Sequence, residues 1–369
     1  MALKQINNSV VEHATHLAFY ENLFPQLKHI EGKGVNERFL NPDDPTTCNS
    51  IDIPRLLPIK GHFRTLGSSN NGGFRNTRNA NGGYVNDSVY YTIQLNHVFD
   101  ESTSLPYSLI TSNAVDFAAA VNANITSSFA QTLNAYTWAT QLVQFAKDTA
   151  AVADGVVAWT GSTTAASAFT SANALLTEGD MSIGLRSVPA DRRQAFVSTK
   201  FDSALKSMYS TNASDLAVQI NATGFVNPYG LTESKRVDSR TGLAGLYDGV
   251  VLTLITKAEM EDVKEYLGNV EGVNTLIDTI EGIIVYGDAT IRGVAGPHIA
   301  VNNDPYNYGS RVFAPYAKFG VGVLSGKTVK LIVSTAWTAT NLTTMKGASL
   351  VDGVSAIGDG TNYSKQSNI

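Results

Sequence analysis

Residues 112–155 read SNAVDFAAAVNANITSSFAQTLNAYTWATQLVQFAKDTAAVADG, with no proline or glycine before Gly155. Val115, Ala118, Ile125, Phe129, Tyr136, Val143 and Ala150 recur at three- and four-residue steps. Phe117, Val121, Trp138, Leu142 and Phe145 form a second stripe. The spacing predicts one helix over about 112–153. At 1.5 Å per residue, about 40 residues would span roughly 60 Å, several times the usual helix. Charge along it is too sparse for a free-standing coiled coil. One face is expected on a sheet and another against neighbouring chains.

Upstream, residues 9–24 (SVVEHATHLAFYENLF) carry Val10, Ala14, Leu17 and Leu23 near one helical face, and Pro25 closes the segment. The following stretch, EGKGVNERFLNPDDPTTCN, lacks periodicity and reads as an extended arm. Two strand-like segments come next. IDIPRLLPIK (51–60) contains Pro54 and Pro58, which confine a strand to a sheet edge. VYYTIQLNHVF (89–99) alternates Tyr91, Ile93 and Leu95 with Thr92, Gln94 and Asn96. Between them lies NNGGFRNTRNANGGYVND (70–87), with Asn-Gly-Gly at 71–73 and 81–83. Hairpin loops usually take about two to five residues. This excursion is far longer and reads as the tip of a hairpin arm, its Asn-Gly pairs supplying positive-φ turns.

Downstream, TAASAFTSANALLTEG reads as a shorter helix ending at Gly179, after which strands and helices alternate. QAFVST, GVVLTLIT and GIIVYGDATI read as strands; DSALKSMYS and AEMEDVKEYLGN read as helices. RVFAPYAKFGVGVLSGKTVKLIVSTAW gives two strands, the second alternating Val329, Leu331 and Val333. Residues 347–369 are polar and glycine-rich, as in a loose tail. The fold class is α+β. Apart from the twin Asn-Gly-Gly there is no repeat, which excludes solenoids and propellers.

The composition excludes several functions. Of the 369 residues, 43% are hydrophobic, so the chain is not disordered, yet only 16% are charged against the roughly 25% usual in soluble domains. Small neutral residues fill the difference, as suits a chain that covers itself with copies of itself. A net charge of −5 argues against a general DNA-binding surface. Cys48 is the only cysteine, so neither an intrachain disulfide nor a cysteine metal cage can form. The start, MALKQINNSVVEH, has no apolar core of signal-peptide length, and no run of about 18 apolar residues spans a membrane.

Catalytic patterns fail on inspection. FGVGVLSGKTVK imitates a phosphate-binding loop, but position 321 is valine where the pattern needs glycine, and strand rather than helix follows. His13 and His16 share a helical face without a completing carboxylate or cysteine; His29, His62, His97 and His298 form no H-E-x-x-H. No G-x-S-x-G elbow occurs. Asp43 and Asp44 sit in an NPDDP turn, and the glycines of GLAGLYDG (242, 245, 249) miss dinucleotide-binding spacing. No catalytic, cofactor-binding or metal site is expected.

Charge distribution is more informative. From Ile53 to Asn86 there are five basic residues, Arg55, Lys60, Arg64, Arg75 and Arg78, and no acidic one. A solvated loop would explain this blandly. A reaching arm explains it better, with guanidiniums offering paired contacts to carboxylates. Only Phe74 and Tyr84 could stack on bases, so single-stranded nucleic acid is a poor partner. The acidic segment 259–271 holds Glu259, Glu261, Asp262 and Glu265. It is an exposed face or a counter-surface for a basic partner.

This order of parts resembles the major capsid protein of tailed double-stranded-DNA bacteriophages, the Hong Kong 97-type coat fold. The resemblance covers nearly the whole chain and is architectural. It implies an N-terminal arm at 1–50, an E-loop hairpin at 51–104, and a P-domain at 105–189 with its spine helix at about 112–153. An A-domain would follow at 190–314, closing strands at 315–346 and a tail at 347–369. It also implies pentamers and hexamers in an icosahedral shell, assembled in the host cytoplasm and carried in the virion. Packaged double-stranded DNA would be contacted without sequence specificity. A portal protein, a separate scaffolding protein and a decoration protein are the other partners implied. In such a shell Arg64, Arg75, Arg78, Phe74 and Tyr84 would lie on a neighbouring subunit. An encapsulin-type nanocompartment shell has the same fold, and a β-rich fibre or adhesin shares the Asn/Thr/Gly composition. The long helix disfavours the latter.

Overall fold

The computed structural model describes residues 23, 26–40, 50–56, 88–99, 102–106, 117–148, 155–159, 172, 192–204, 243–247, 250–268, 271–303, 309–323 and 326–351. The predicted helices over 9–24 and 164–179 lie outside these residues except for Leu23 and Ala172, as do Cys48 and the glycine/arginine loop.

Helix α1 runs Phe117–Lys147, and Asp148 is no longer helical. Every residue from Thr132 to Val143 is buried. A helix can be buried all round only if its polar side chains find partners inside. The threonines do this locally: Thr126, Thr137 and Thr140 donate to the carbonyls of Asn122, Leu133 and Tyr136, one turn back. The expected division, one face on a sheet and one left for other chains, therefore fails along this half. Other parts of the same chain cover it.

Two sheets build the body. Strands β1 (Asn36–Leu40), β11 (Thr290–Asn303) and β12 (Ser310–Val323) form the first, with β4 (His97–Phe99) and β5 (Thr103–Pro106) both pairing along β12. The second is mixed and six-stranded, in the order β6-β13-β10-β7-β9-β8. Its members are β6 (Val156–Ala158), β7 (Arg193–Ser198), β8 (Leu243–Tyr247), β9 (Val250–Ile255), β10 (Ile280–Tyr286) and β13 (Val329–Val333). Strand alternation sends its side chains into two cores. Phe196, Ile283, Val285, Leu331 and Val333 join the α1 core, which also takes Phe129, Leu133, Trp138 and Phe145. Ala195, Val197, Ile284 and Ile332 face a second core with Trp159, Phe201 and Leu252. Phe201 belongs to a helical turn that begins directly after β7.

Helices α2 (Lys257–Tyr266), α3 (Val273–Ile277) and α4 (Ala339–Lys346) complete the body; α2 and α4 pack on α1. Two details differ from the sequence reading. GIIVYGDATI is two strands, β10 and β11, separated by a turn at Gly287–Ala289. Helix α4 lies within what reads as closing strands; its signal is the Thr338–Asn341 capping box, in which each residue's side chain holds the other's backbone N–H.

Strands β2 (Ser50–Leu56) and β3 (Ser88–Gln94) pair antiparallel over seven residues, Ser50 opposite Gln94 and Leu56 opposite Ser88. They form a separate two-stranded ribbon. Its base rests on β12, where a Cβ at Gly320 would fall 2.2 Å from the Gln94 carbonyl oxygen and one at Gly322 would fall 2.9 Å from Ile93. The basic loop begins where this pairing ends.

Candidate inter-subunit surface

Helix α2 carries the acidic residues singled out by sequence, and the structure gives them different surroundings. Thr256 caps the helix and Glu259 completes the capping box, its carboxylate reaching back to the Thr256 N–H at 2.8 Å. The same carboxylate pairs with Lys28 at 2.6 Å, and Lys28 also donates to the Leu254 carbonyl at 2.8 Å. Glu259 is thus turned to an internal cation. Glu261 accepts from Lys264 at 2.8 Å, and Lys264 reaches on to Asp278 at 2.6 Å.

Asp262 and Glu265 remain. They edge a groove between α1 and α2, opposite Asn124, Ser127, Ser128 and Gln131, with Tyr266 at its floor packed edge-on against Tyr136. Partial burial, then the neighbouring Glu259 and Glu261, hold the Asp262 carboxyl above its ordinary range. Partial burial and then Asp262 do the same for Glu265. Among the described residues neither carboxylate has an ion-pair partner. Thr132 lines the groove as well, and its buried hydroxyl lacks the back-bond made by the other buried threonines of α1. A negative, oxygen-lined groove of this kind can receive a guanidinium or an ammonium group.

Arg64, Phe74, Arg75, Arg78 and Tyr84 lie outside the described residues. The glycine-lysine-threonine decoy, Gly326–Thr328, is a single 3-10 turn leading into β13, and a Cβ at Gly326 would lie 2.5 Å from the Gln144 carbonyl. Among the described residues no three His, Cys, Asp or Glu side chains converge as metal ligands, and no helix is long and apolar enough to cross a membrane.

Sequence reasoning missed two internal ion pairs, Lys28–Glu259 and the fully buried Arg292 with Glu37. Their partners stand more than two hundred positions apart, so no local pattern marks them.

No protein-family profile matches the chain, and no curated protein sequence does. Solved structures do match it. A chain of the cyanophage P-SCSP1u capsid is 10% identical, with 82% of this chain and 87% of that one covered at a TM-score of 0.49. The cyanophage Pam1 capsid gives 12% identity over 86% and 93%, with a TM-score of 0.46. The Ralstonia phage GP4 capsid gives 11% over 87% and 91%, also at 0.46. This chain is similar to chains of phage capsids.

Proposed function

We propose that the protein is the major capsid protein of a tailed bacteriophage, a coat subunit of the Hong Kong 97 type that self-assembles into the icosahedral head and encloses double-stranded DNA. The observation that carries this reading is the β2–β3 ribbon. A two-stranded ribbon is marginal in water by itself and becomes stable when it lies on a further surface. Among the described residues, seven residue pairs stand outside both sheets and touch the body at their base, on β12. A neighbouring copy supplies the missing surface. The low charge content fits a subunit that buries much of its exterior against copies of itself.

On this reading the ribbon and its loop are the reaching arm. Arg64, Arg75 and Arg78 seek carboxylates on the neighbour, and Phe74 and Tyr84 add apolar area. Asp262 and Glu265 in the α1–α2 groove are the favoured counter-surface, because Glu259 and Glu261 already bind cations of their own subunit. The protein acts by assembly rather than turnover, through weak contacts repeated over many interfaces. Electron microscopy of the expressed protein tests it. Closed shells support the reading, and a protein that stays monomeric under all salt conditions would sink it. Shells that hold a co-expressed cargo enzyme rather than portal-packaged DNA would instead favour an encapsulin-type compartment.

A further inference from the structure

Residues 26–30 form neither a strand nor a long helix, yet side-chain amides tie them down from both sides. Asn134 of α1 brackets them, donating to the Gln26 carbonyl at 3.2 Å and accepting from the Lys28 N–H at 3.1 Å. Gln194 of β7 holds the other side. Its amide donates to the Lys28 carbonyl at 2.6 Å and to Thr253 at 2.7 Å, and its oxygen accepts from the Ile30 N–H at 2.9 Å. The chain then turns tightly over 30–35, with Gly32 at φ 73°, and enters β1, which pairs in parallel with β11.

His29 sits at the centre of this strap, 2% exposed. Its ring lies 4.5 Å from that of Phe196 and 5.2 Å from that of Trp138. Nε2 faces Gln141 Oε1 at 3.5 Å, Gln141 is itself fixed by Thr290 at 3.0 Å, and Nδ1 makes no hydrogen bond. The charged groups around it are cations: Lys28 from the strap and Arg292 from β11. The carboxylates of the network are engaged, Glu259 from α2 with Lys28 and Glu37 from β1 with Arg292. What α1 and β7 present to the ring, Trp138, Asn134, Gln141, Phe196 and Gln194, is uncharged. This site is built for a neutral imidazole and has no counter-ion for a charged one.

We propose that residues 26–35 are an acid-released strap: neutral His29 locks them between α1 and the six-stranded sheet, and its protonation frees them together with β1. The sign follows from the surroundings. Burial first, and then the repulsion of Arg292, hold the imidazole well below its ordinary 6.5, outweighing the favourable amides of Gln141 and Asn134. The released segment takes up protons more readily than the docked one, so docking is complete above about pH 6.5 and weakens as the pH falls below it. Each further unit of acid costs about tenfold in the docking equilibrium until the docked imidazole itself titrates.

Hydrogen–deuterium exchange of the full chain between pH 7.5 and 5, corrected for intrinsic rates, tests this. Between pH 7.5 and 5, peptides covering 26–40 should lose about 30-fold in protection, while β10 and β13 keep theirs. His29→Phe, which retains an aromatic ring in the same box, should remove that pH dependence. Equal pH dependence in the wild type and His29→Phe overturns the proposal, as does a flat wild-type profile. If His29→Phe does not fold, deuteration of the His29 C2 carbon in the wild type, read by mass spectrometry, decides instead. A midpoint near 6.5 in the folded protein overturns the strap mechanism, and one well below supports it.

Discussion

Lys28 Nζ lies 2.6 Å from a carboxylate oxygen of Glu259, tying the strap ahead of β1 to the first turn of α2. Both side chains are mostly shielded from water, at 10% and 19% exposure. Removing one partner strands the other. Lys28→Met or Glu259→Gln should each destabilise the subunit by about 3 kcal/mol, the lower end for a buried pair because this one is partly wetted. The double variant Lys28→Met with Glu259→Leu should lose less than the sum. Urea unfolding checks both.

Gly34 has no space for a side chain. A Cβ there would lie 2.0 Å from Gln194 Oε1, the atom that accepts from Ile30. Gln194 is fully buried and cannot swing away without abandoning three hydrogen bonds. Gly34→Ala is therefore expected to cost about 2–3 kcal/mol, as for buried polar groups left without partners, and to raise exchange across 26–40 first.

Much of the body is legible in the sequence because it follows period. The uninterrupted 112–155 stretch announces α1, and the alternation at 89–95 announces β3. VVLTLI reads as a buried strand and is one. Two things are not legible. The burial of α1 on every side depends on threonines whose hydroxyls close on their own helix, so a polar residue there looks like an exposed one. The strap depends on Asn134 and Gln141 of α1 and Gln194 of β7, three carboxamides on two elements that converge only after folding. The acidic run on α2 shows the same limit, since four carboxylates that look equivalent in sequence divide into two that bind internal lysines and two that face a groove.

Asp262 and Glu265 should be held at some expense to the isolated subunit. Their carboxyls titrate above the ordinary range in the folded state, so ionisation at neutral pH opposes folding. Asp262→Asn with Glu265→Gln should stabilise the monomer at pH 7, by under about 1 kcal/mol once solvent screening is allowed for. The gain should fade as the pH falls through the carboxylate range, vanishing where both forms are protonated. Thermal melts at pH 7 and pH 3.5 would show it.

The same two residues test the arm. Asp262→Lys with Glu265→Lys should abolish or weaken shell formation while the monomer stays folded by circular dichroism. Adding Arg75→Glu and Arg78→Glu should restore it in part. Shells from the groove variant alone, indistinguishable from wild type, would move the counter-surface elsewhere.

Shortening 66–88 to a tight turn should leave a soluble, helical monomer that does not close into stable shells. The milder Arg64, Arg75 and Arg78 to Ser variant should shift the salt optimum of assembly, because exposed charge pairs are screened within about 10 Å at 0.1 M salt. Light scattering across a salt series would report the shift.

Strand β1 pairs in parallel with residues 291–295 of β11, and Gly287 packs so closely on the Gly32 and Lys33 backbone that a Cβ there would fall 2.5 Å from it. During synthesis β1 therefore has no sheet partner until about residue 300 has left the ribosome. Contacts of such sequence separation form late and slowly. Each chain thus completes this sheet only when translation is nearly finished.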